Sequence, residues 1–409
     1  DVLKQGAKTY YVNGYFWAQN VWTAADNDFM YSDTYKSILQ LNVILSKINE
    51  APGGTAERKE LVAAQAKINR AYYYLQLVNI YGADYQAATA ETDLGVPLVL
   101  QPNASAKPIR STVQEVYDQV LADLNEAVNT TSLPDFGADV IHPGKAAAFA
   151  LLARTYLYMG DYENALAAAE AALKIKSTLM DYNNMSFTKN PTSAVTNIKN
   201  KLFTLKDQER NPEVLYAKIC IDAAFVNRFS ESVHIDKDLA KVLGTRDLRY
   251  VYNFYPKTSE SSAEYFIYTD NTTEVMQFNY SLGVPEMMLI KAECLARKGE
   301  GAAAIGLLNT LRGYRFKKNE YKSLSTIGTD ALALVVAERR RELFLHGGLR
   351  LFDLKRLNRD PKFKTDLKRV PLSGPIVTYA TLEAGSPRYV IPFAPRVIAN
   401  NPLIIQNER

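Results

Sequence analysis

The 409-residue sequence predicts a mainly α-helical repeat scaffold interrupted by an irregular, loop-rich insertion. Three observations predict it. Leu61, Ala64, Ile68, Ala71, Leu75 and Val78 recur at the spacing of one helix face, as a long amphipathic helix requires. A set of small and apolar residues occurs twice with the same intervals, first as Ala153, Tyr156, Gly160, Ala165, Ala169 and Ala172, then 139 positions later as Ala292, Leu295, Gly299, Ala304, Leu308 and Leu311. Between the copies, residues 176–280 lose helical period and are rich in Asn, Ser, Thr, Tyr and Phe.

Element by element, a helix pair is expected around residues 33–81. A second helical stretch runs from 112 to 158 with a follower to 174, opened by a Thr112-x-x-Glu115 capping box above the stripe Val113, Tyr117, Val120, Leu121, Leu124, Val128. The duplicated spacing of small residue, aromatic or Leu, turn glycine and second-helix alanines is that of tetratricopeptide repeats, where small side chains let antiparallel helices approach closely. Such helix pairs cannot bury their apolar faces alone. The predicted organisation is therefore a single domain over 1–409, with the helical scaffold at 28–175 and 281–357, the inserted subdomain at 176–280 and an irregular tail at 358–409. Within the insertion, Tyr250, Tyr252 and Phe254 alternate as on the buried side of a strand. Residues 83–110 and 315–328 read as loops.

Residues 329–346 read as a further helix, with Thr329 as cap, Asp330 suited to the N-terminal dipole and Gly347-Gly348 as its end. Its stripe of Leu332, Val335, Val336 and Leu343 turns Arg339 or Arg340 toward the core. A guanidinium there requires carboxylate company, because an unpaired buried charge is costly. Glu338, Arg340, Arg341, Glu342, Arg350 and Asp353 are therefore expected to form a structural ion-pair motif rather than a ligand site.

Bulk properties exclude several classes. The net charge of +4 is concentrated in residues 338–369, which hold 11 Lys/Arg against 5 Asp/Glu, so no basic face extends beyond one motif and nucleic acid is not an expected partner. The only cysteines, Cys220 and Cys294, have no metal-like spacing and fit either one bridge or two buried thiols. No apolar stretch approaches the roughly 18 residues of a membrane-spanning helix. His142, His234 and His346 are far apart, and the sequence has neither a Gly-x-Ser-x-Gly turn nor a phosphate-binding loop. No catalytic residues, metal site or cofactor are expected, and the chain does not read as an enzyme.

Four quoted stretches carry a family resemblance. These are Glu338-Arg339-Arg340-Arg341-Glu342-Leu343-Phe344 leading into Gly347-Gly348-Leu349-Arg350-Leu351-Phe352-Asp353; Tyr389-Val390-Ile391-Pro392 with Asn400-Asn401-Pro402-Leu403-Ile404-Ile405-Gln406-Asn407; Arg70-Ala71-Tyr72-Tyr73-Tyr74-Leu75 through Tyr81-Gly82; and Glu286-Met287-Met288-Leu289-Ile290-Lys291-Ala292-Glu293. Together they resemble the SusD/RagB family of surface nutrient-binding lipoproteins. His346 and Arg396 stand where that family commonly carries acidic residues, which bears on local ion pairing more than on fold.

The resemblance implies a SusD-like helical fold at the outer-membrane surface of a Bacteroidetes-type cell, held by a lipid anchor ahead of this chain. It implies capture of an oligosaccharide, or a peptide as in RagB-like relatives, and delivery to a SusC-like TonB-dependent transporter. A repeat-based protein-interaction scaffold is the rival reading.

Sugar sites combine aromatic faces with polar groups at hydrogen-bond reach. Trp17, Trp22, Asp26, Asn27, Asp28 and Tyr31 supply both within fifteen residues. Packing of Trp17 on the first helix pair is the alternative, since large aromatics are usually buried. Tyr250, Tyr252, Tyr255 and Tyr265 form the second candidate cluster, with core packing again the alternative. The resemblance implies that both the early loop and the insertion contribute to the ligand site.

Overall fold

Helices begin where the sequence supplies a side chain for their orphan backbone N–H groups. Asp28 accepts from Tyr31 N at 3.1 Å, Thr55 from Arg58 N at 3.2 Å, Thr112 from Glu115 N at 3.1 Å and Asp330 from Ala333 N at 3.1 Å. The Thr112 box is reciprocal, Thr112 N donating to Glu115 Oε2 at 2.7 Å. At 330 the expectation needs correction. Thr329 donates its hydroxyl to Ile327 O at 3.2 Å, and Asp330 takes the capping role.

The computed structural model describes residues 9–187, 198–199, 209–220, 237–257, 265–268, 278–370 and 377–409. The fold is mainly helical, with thirteen α-helices and five two-stranded ladders among those residues, the strands being β1 Ser186–Phe187, β2 Ile198–Lys199, β3 Val214–Tyr216, β4 Ile219–Cys220, β5 Phe254–Lys257, β6 Tyr265–Tyr268, β7 Phe278–Asn279, β8 Leu282–Gly283, β9 Leu367–Arg369 and β10 Ala380–Leu382. The helices are α1 Thr9–Tyr15, α2 Phe29–Lys47, α3 Ala56–Tyr81, α4 Val113–Asn129, α5 Lys145–Met159, α6 Tyr162–Ile175, α7 Lys237–Leu243, α8 Leu248–Asn253, α9 Val284–Arg297, α10 Gly301–Gly313, α11 Ala331–Glu342, α12 Leu349–Leu357 and α13 Pro395–Asn400. The chain divides into two compact units, one of residues up to 135, 155–161 and 351–409, the other of 136–154 and 162–350.

In the first unit α3 packs between α2 and α4. Ala64, Ile68, Ala71, Leu75 and Val78 are buried on the face the periodicity assigns, as are Val113, Tyr117, Val120 and Leu124 of α4. Arg70 ties the three helices together: Nε and Nη2 reach Asp123 at 2.8 and 2.7 Å, and Nη1 reaches Asn42 at 2.9 Å. The C-terminal motif is stapled to the end of α3. Asn407 Nδ2 donates to Tyr81 O and Ile391 O, both at 2.9 Å, while the Gln406 amide exchanges two hydrogen bonds with the Phe393 backbone. Buried Arg110 donates to the carbonyls of Gly95, Leu94, Tyr81 and Ile405 and lies 5.1 Å from the Phe393 ring centroid.

In the second unit α9 packs against α6, α10 and α11. Strands β3 Val214–Tyr216 and β8 Leu282–Gly283 pair antiparallel beside the start of α9. The duplicated spacing falls on two helix turns. Gly160 and Gly299 follow α5 and α9 with φ of +78° and +92°, the left-handed geometry that favours glycine after a helix.

Two further expectations differ from the structure. The predicted helix over 329–346 stops at Glu342, because Leu345 at φ +57° and Gly347 at φ +50° turn the chain before α12. The alternating tyrosines do not form one strand. Tyr250 and Tyr252 lie on α8, started by Asp247, whose Oδ1 accepts from Arg249 N at 2.9 Å, and the strand β5 begins only at Phe254. A run this short satisfies both periods.

Candidate ligand-binding surface

The N-terminal helix α1 carries Tyr10, Tyr11 and Tyr15, and the chain then doubles back at Trp17. The turn is closed by Trp17 N on Gly14 O at 3.1 Å and Ala18 N on Asn13 O at 2.8 Å. Trp17 sits there at φ +52°, a conformation that costs an L-residue about 1–2 kcal/mol. Its ring is 9% exposed and packs with Leu354, Leu382 and Tyr389. Trp17 is thus a core residue in this unit, not an open platform.

Trp22 is half-buried, its Nε1 donating to Pro392 O at 2.6 Å. Its ring centroid lies 5.3 Å from that of Tyr10, which lies 4.4 Å from exposed Tyr11. The three rings make a continuous aromatic strip. Beside Trp22 in sequence, Asp26 accepts from Thr23 N and Oγ1 at 2.7 and 2.8 Å, and exposed Asn27 accepts from Arg396 Nη1 at 2.8 Å.

Asp28 is buried, capping α2 and accepting from the Tyr81 hydroxyl at 2.7 Å. Burial raises its carboxyl above the ordinary range, against the hydrogen bonds from Tyr81 and Tyr31. Tyr31 is half-buried and meets the Tyr81 and Phe393 rings edge-on at 5.5 and 5.6 Å, burial pushing its hydroxyl up to about 12. Trp22 and Asp26 are therefore half-buried and Asn27 exposed, whereas Trp17 and Asp28 are buried in the fold.

The second cluster behaves likewise. Tyr252 is buried among Met180, Tyr182, Met185 and Leu248, and its hydroxyl donates to Met185 O at 2.7 Å. Tyr250 is half-buried. Tyr255 and Tyr265 belong to the antiparallel β5–β6 ladder, paired with Ile267 and Lys257, and their side chains lie outside the described residues.

The arginine-rich motif joins a buried network. Arg249 donates to Asp247 at 2.9 and 2.6 Å, Glu338 at 2.7 Å and Glu342 at 2.6 Å. Arg312 and Arg341 reach Glu338 at 2.6 and 2.9 Å, and Arg315 reaches Glu342 at 2.8 Å and Glu213 at 2.6 Å. Four guanidinium groups thus face four carboxylates. Burial works against charge on Glu338, yet Arg249, Arg312 and Arg341 hold its pKa down at about 2. Arg339 is the arginine turned fully inward, 3.7 Å from Glu286, while Arg340 is half-buried. Arg350 is half-buried, and Asp353 pairs locally with Arg356 at 2.9 Å. Among the described residues no group of three or more His, Cys, Asp and Glu could hold a metal ion, and Cys294 is a buried free thiol.

Two sequence models match the chain, one described as "Starch-binding associating with outer membrane" over residues 3–157 and one as "SusD family" over residues 282–408. Their matches lie at the two ends that carry the quoted motifs. The chain belongs to the SusD family. A SusD-like protein P2 from Formosa agariphila is 32% identical over 149 residues, a match spanning 35% of this SusD-like chain and only 27% of that relative. Solved SusD superfamily structures share the fold: one from Bacteroides thetaiotaomicron at 22% identity with TM-score 0.72, covering 93% of this chain and 85% of that one, and one from Bacteroides vulgatus at 19% with TM-score 0.75, covering 98% and 90%. The surface glycan-binding protein A from Bacteroides uniformis aligns with TM-score 0.69 at 17% identity over 98% of this chain and 88% of its own.

Sequence reasoning passed over Tyr10, Tyr11 and Tyr15. Their signal was present as six aromatic residues between Tyr10 and Trp22. It also missed Arg249, Arg312 and Arg315, which reach the motif from distant positions that no local pattern links.

Proposed function

We propose that this SusD-like chain is a noncatalytic surface protein that captures an oligosaccharide and passes it to a SusC-like, TonB-dependent outer-membrane transporter. The single observation that carries the sugar reading is the Tyr11–Tyr10–Trp22 strip, flanked in sequence by Asp26 and Asn27. Ring faces match the CH faces of a pyranose, and neighbouring amide and carboxylate groups answer its hydroxyls. The "starch-binding" description of the matching family and the glycan-binding title of the Bacteroides uniformis neighbour support the same reading. Lipid anchoring at the outer membrane and the transporter partnership belong to this proposal through the family.

Capture would be noncovalent, on a surface largely formed before the ligand arrives. Calorimetric titration of the purified chain against a panel of neutral and acidic oligosaccharides and of peptides tests it, with Trp22→Ala and Tyr11→Ala beside the wild type. Glycan binding weakened at least tenfold in both variants is expected. Binding of peptides alone would sink the carbohydrate reading, and glycan binding unchanged in both variants would sink the strip as its site.

A further inference from the structure

The loop from Trp22 to Asn27 is tied to the C-terminal segment at both of its ends. Trp22 Nε1 donates to Pro392 O at 2.6 Å, and Asn27 Oδ1 accepts from Arg396 Nη1 at 2.8 Å. Between those ties the loop folds into a turn, with Asp26 N on Thr23 O at 3.1 Å and Asp26 Oδ2 accepting from Thr23 N and Oγ1 at 2.7 and 2.8 Å. Pro392 and Arg396 are joined by a stretch that spans at most about 14 Å when fully extended, and less here because α13 begins at Pro395. The bond to Asn27 therefore brings the Arg396 guanidinium back beside the loop that carries Trp22.

Donors dominate this edge. Since the guanidinium takes Asn27 Oδ1, the other arm of that amide, Nδ2, presents two N–H donors with no partner in the protein. Arg396 is exposed, spends one N–H on Asn27 and pairs with no carboxylate among the described residues. Its charge is thus held in place by a neutral amide and left uncompensated. Asp26, the acid next to Asn27, turns Oδ2 to Thr23 and makes no ion pair with Arg396, so its Oδ1 stays available as an acceptor.

We propose that Arg396, oriented by Asn27, is a contact for the carboxylate or sulfate of an acidic sugar residue in the captured glycan, on the Asn27 side of Trp22. The inference rests on the glycan reading above and narrows its ligand class. A planar fork of N–H donors matches a carboxylate or sulfate in a bidentate way that an ammonium does not. Asn27 Nδ2 adds a neutral donor to that fork, and Asp26 Oδ1 answers a sugar hydroxyl. The Trp22 ring supplies the apolar face for the neighbouring sugar.

The test titrates the full chain with two pairs of glycans that share a backbone and differ in charge, oligogalacturonate with its methyl ester and dextran sulfate with dextran, and with poly-glutamate. Wild type is compared with Arg396→Gln, Arg396→Lys, Asn27→Asp and Lys364→Gln, the last an exposed lysine outside this loop and segment. At least tenfold tighter binding of an acidic glycan than of its neutral counterpart is expected, reduced about tenfold or more in Arg396→Gln. Asn27→Asp should lose as much, because its new carboxylate occupies the guanidinium, while Arg396→Lys keeps part of the preference and Lys364→Gln all of it. The preferred pair distinguishes carboxylate from sulfate. Wild-type indifference to charge in both pairs would overturn the site, as would undiminished acidic binding in Asn27→Asp. Equal losses in Lys364→Gln and Arg396→Gln would mean diffuse charge and overturn it too. Poly-glutamate binding with the same Arg396 dependence would overturn the sugar assignment. Melting temperatures of the variants separate loss of binding from loss of fold. Neutral glycan binding that depends on Trp22 but not Arg396 would overturn this inference alone, whereas absence of all glycan binding would remove the functional reading with it.

Discussion

Replacing Arg249 by Met should destabilise the second unit more than any surface change, and the geometry says through which residue. Arg249 is 1% exposed and serves Asp247, Glu338 and Glu342. Glu338 keeps Arg312 and Arg341, and Glu342 keeps Arg315. Asp247, fully buried, loses the bidentate ion pair that Arg249 supplies. Breaking a buried pair from one side costs about 3–5 kcal/mol because a charge is left uncompensated. Hydrogen exchange of amides within Ala331–Glu342 is the assay, since both tryptophans lie in the other unit. At about 1.4 kcal/mol per decade the cost corresponds to exchange faster by two to nearly four decades.

Adding Asp247→Asn to Arg249→Met should restore much of the loss. The pH dependence has a definite sign. Burial already raises the Asp247 carboxyl against the pull of Arg249; without that arginine it rises further, so the folded variant takes up a proton more readily than the unfolded chain as pH falls. The deficit of Arg249→Met should therefore shrink between pH 7 and pH 5. A cost below about 1 kcal/mol, in the range of exposed pairs, or no recovery in the double variant, would refute the assignment of Asp247 as the stranded charge.

Lys355 donates to Asn79 O at 2.9 Å and Gly82 O at 2.8 Å, and burial pushes its pKa down to about 8 against the pull of Asp84. The unfolded chain holds that proton up to its ordinary value near 10.5, so stability should rise between pH 8 and pH 10, by about 2 kcal/mol, and Lys355→Met should lack that rise in denaturant titrations. Gly347→Ala should cost more than Gly299→Ala: a Cβ at 347 would lie 2.6 Å from Tyr280 Cδ1, whereas one at 299 meets nothing within 4 Å, leaving only the left-handed backbone cost of about 1–2 kcal/mol. Thermal melts of the two variants rank them. Thr112→Ala removes one half of a reciprocal cap and should lose about 1 kcal/mol, measurable as faster exchange in the first turn of α4.

Much of the scaffold was legible because helix periodicity and turn glycines act locally. The faces of α3 and α4, the Thr112 box and the glycine turns at 160 and 299 each follow from residues within a few positions of one another. The candidate surface was only half legible. Trp17 and Trp22 are five positions apart in similar company, yet one is packed under Leu382 and Tyr389 and the other stands beside Tyr10. Tyr252 read as readily as a platform as a core ring, and its depth is decided by Met180, Tyr182 and Met185.

The sequence by itself determined a helical repeat scaffold, because local periodicity, caps and turn glycines are written in neighbouring residues, and its quoted motifs carried the resemblance to the SusD family. Tertiary structure alone decided which arginines and carboxylates share a charge-balanced interior, and which aromatic rings stay at the surface. Both are matters of burial, and burial depends on segments such as Arg249 with Glu342, or Tyr15 with Arg369, that meet only once the chain has folded.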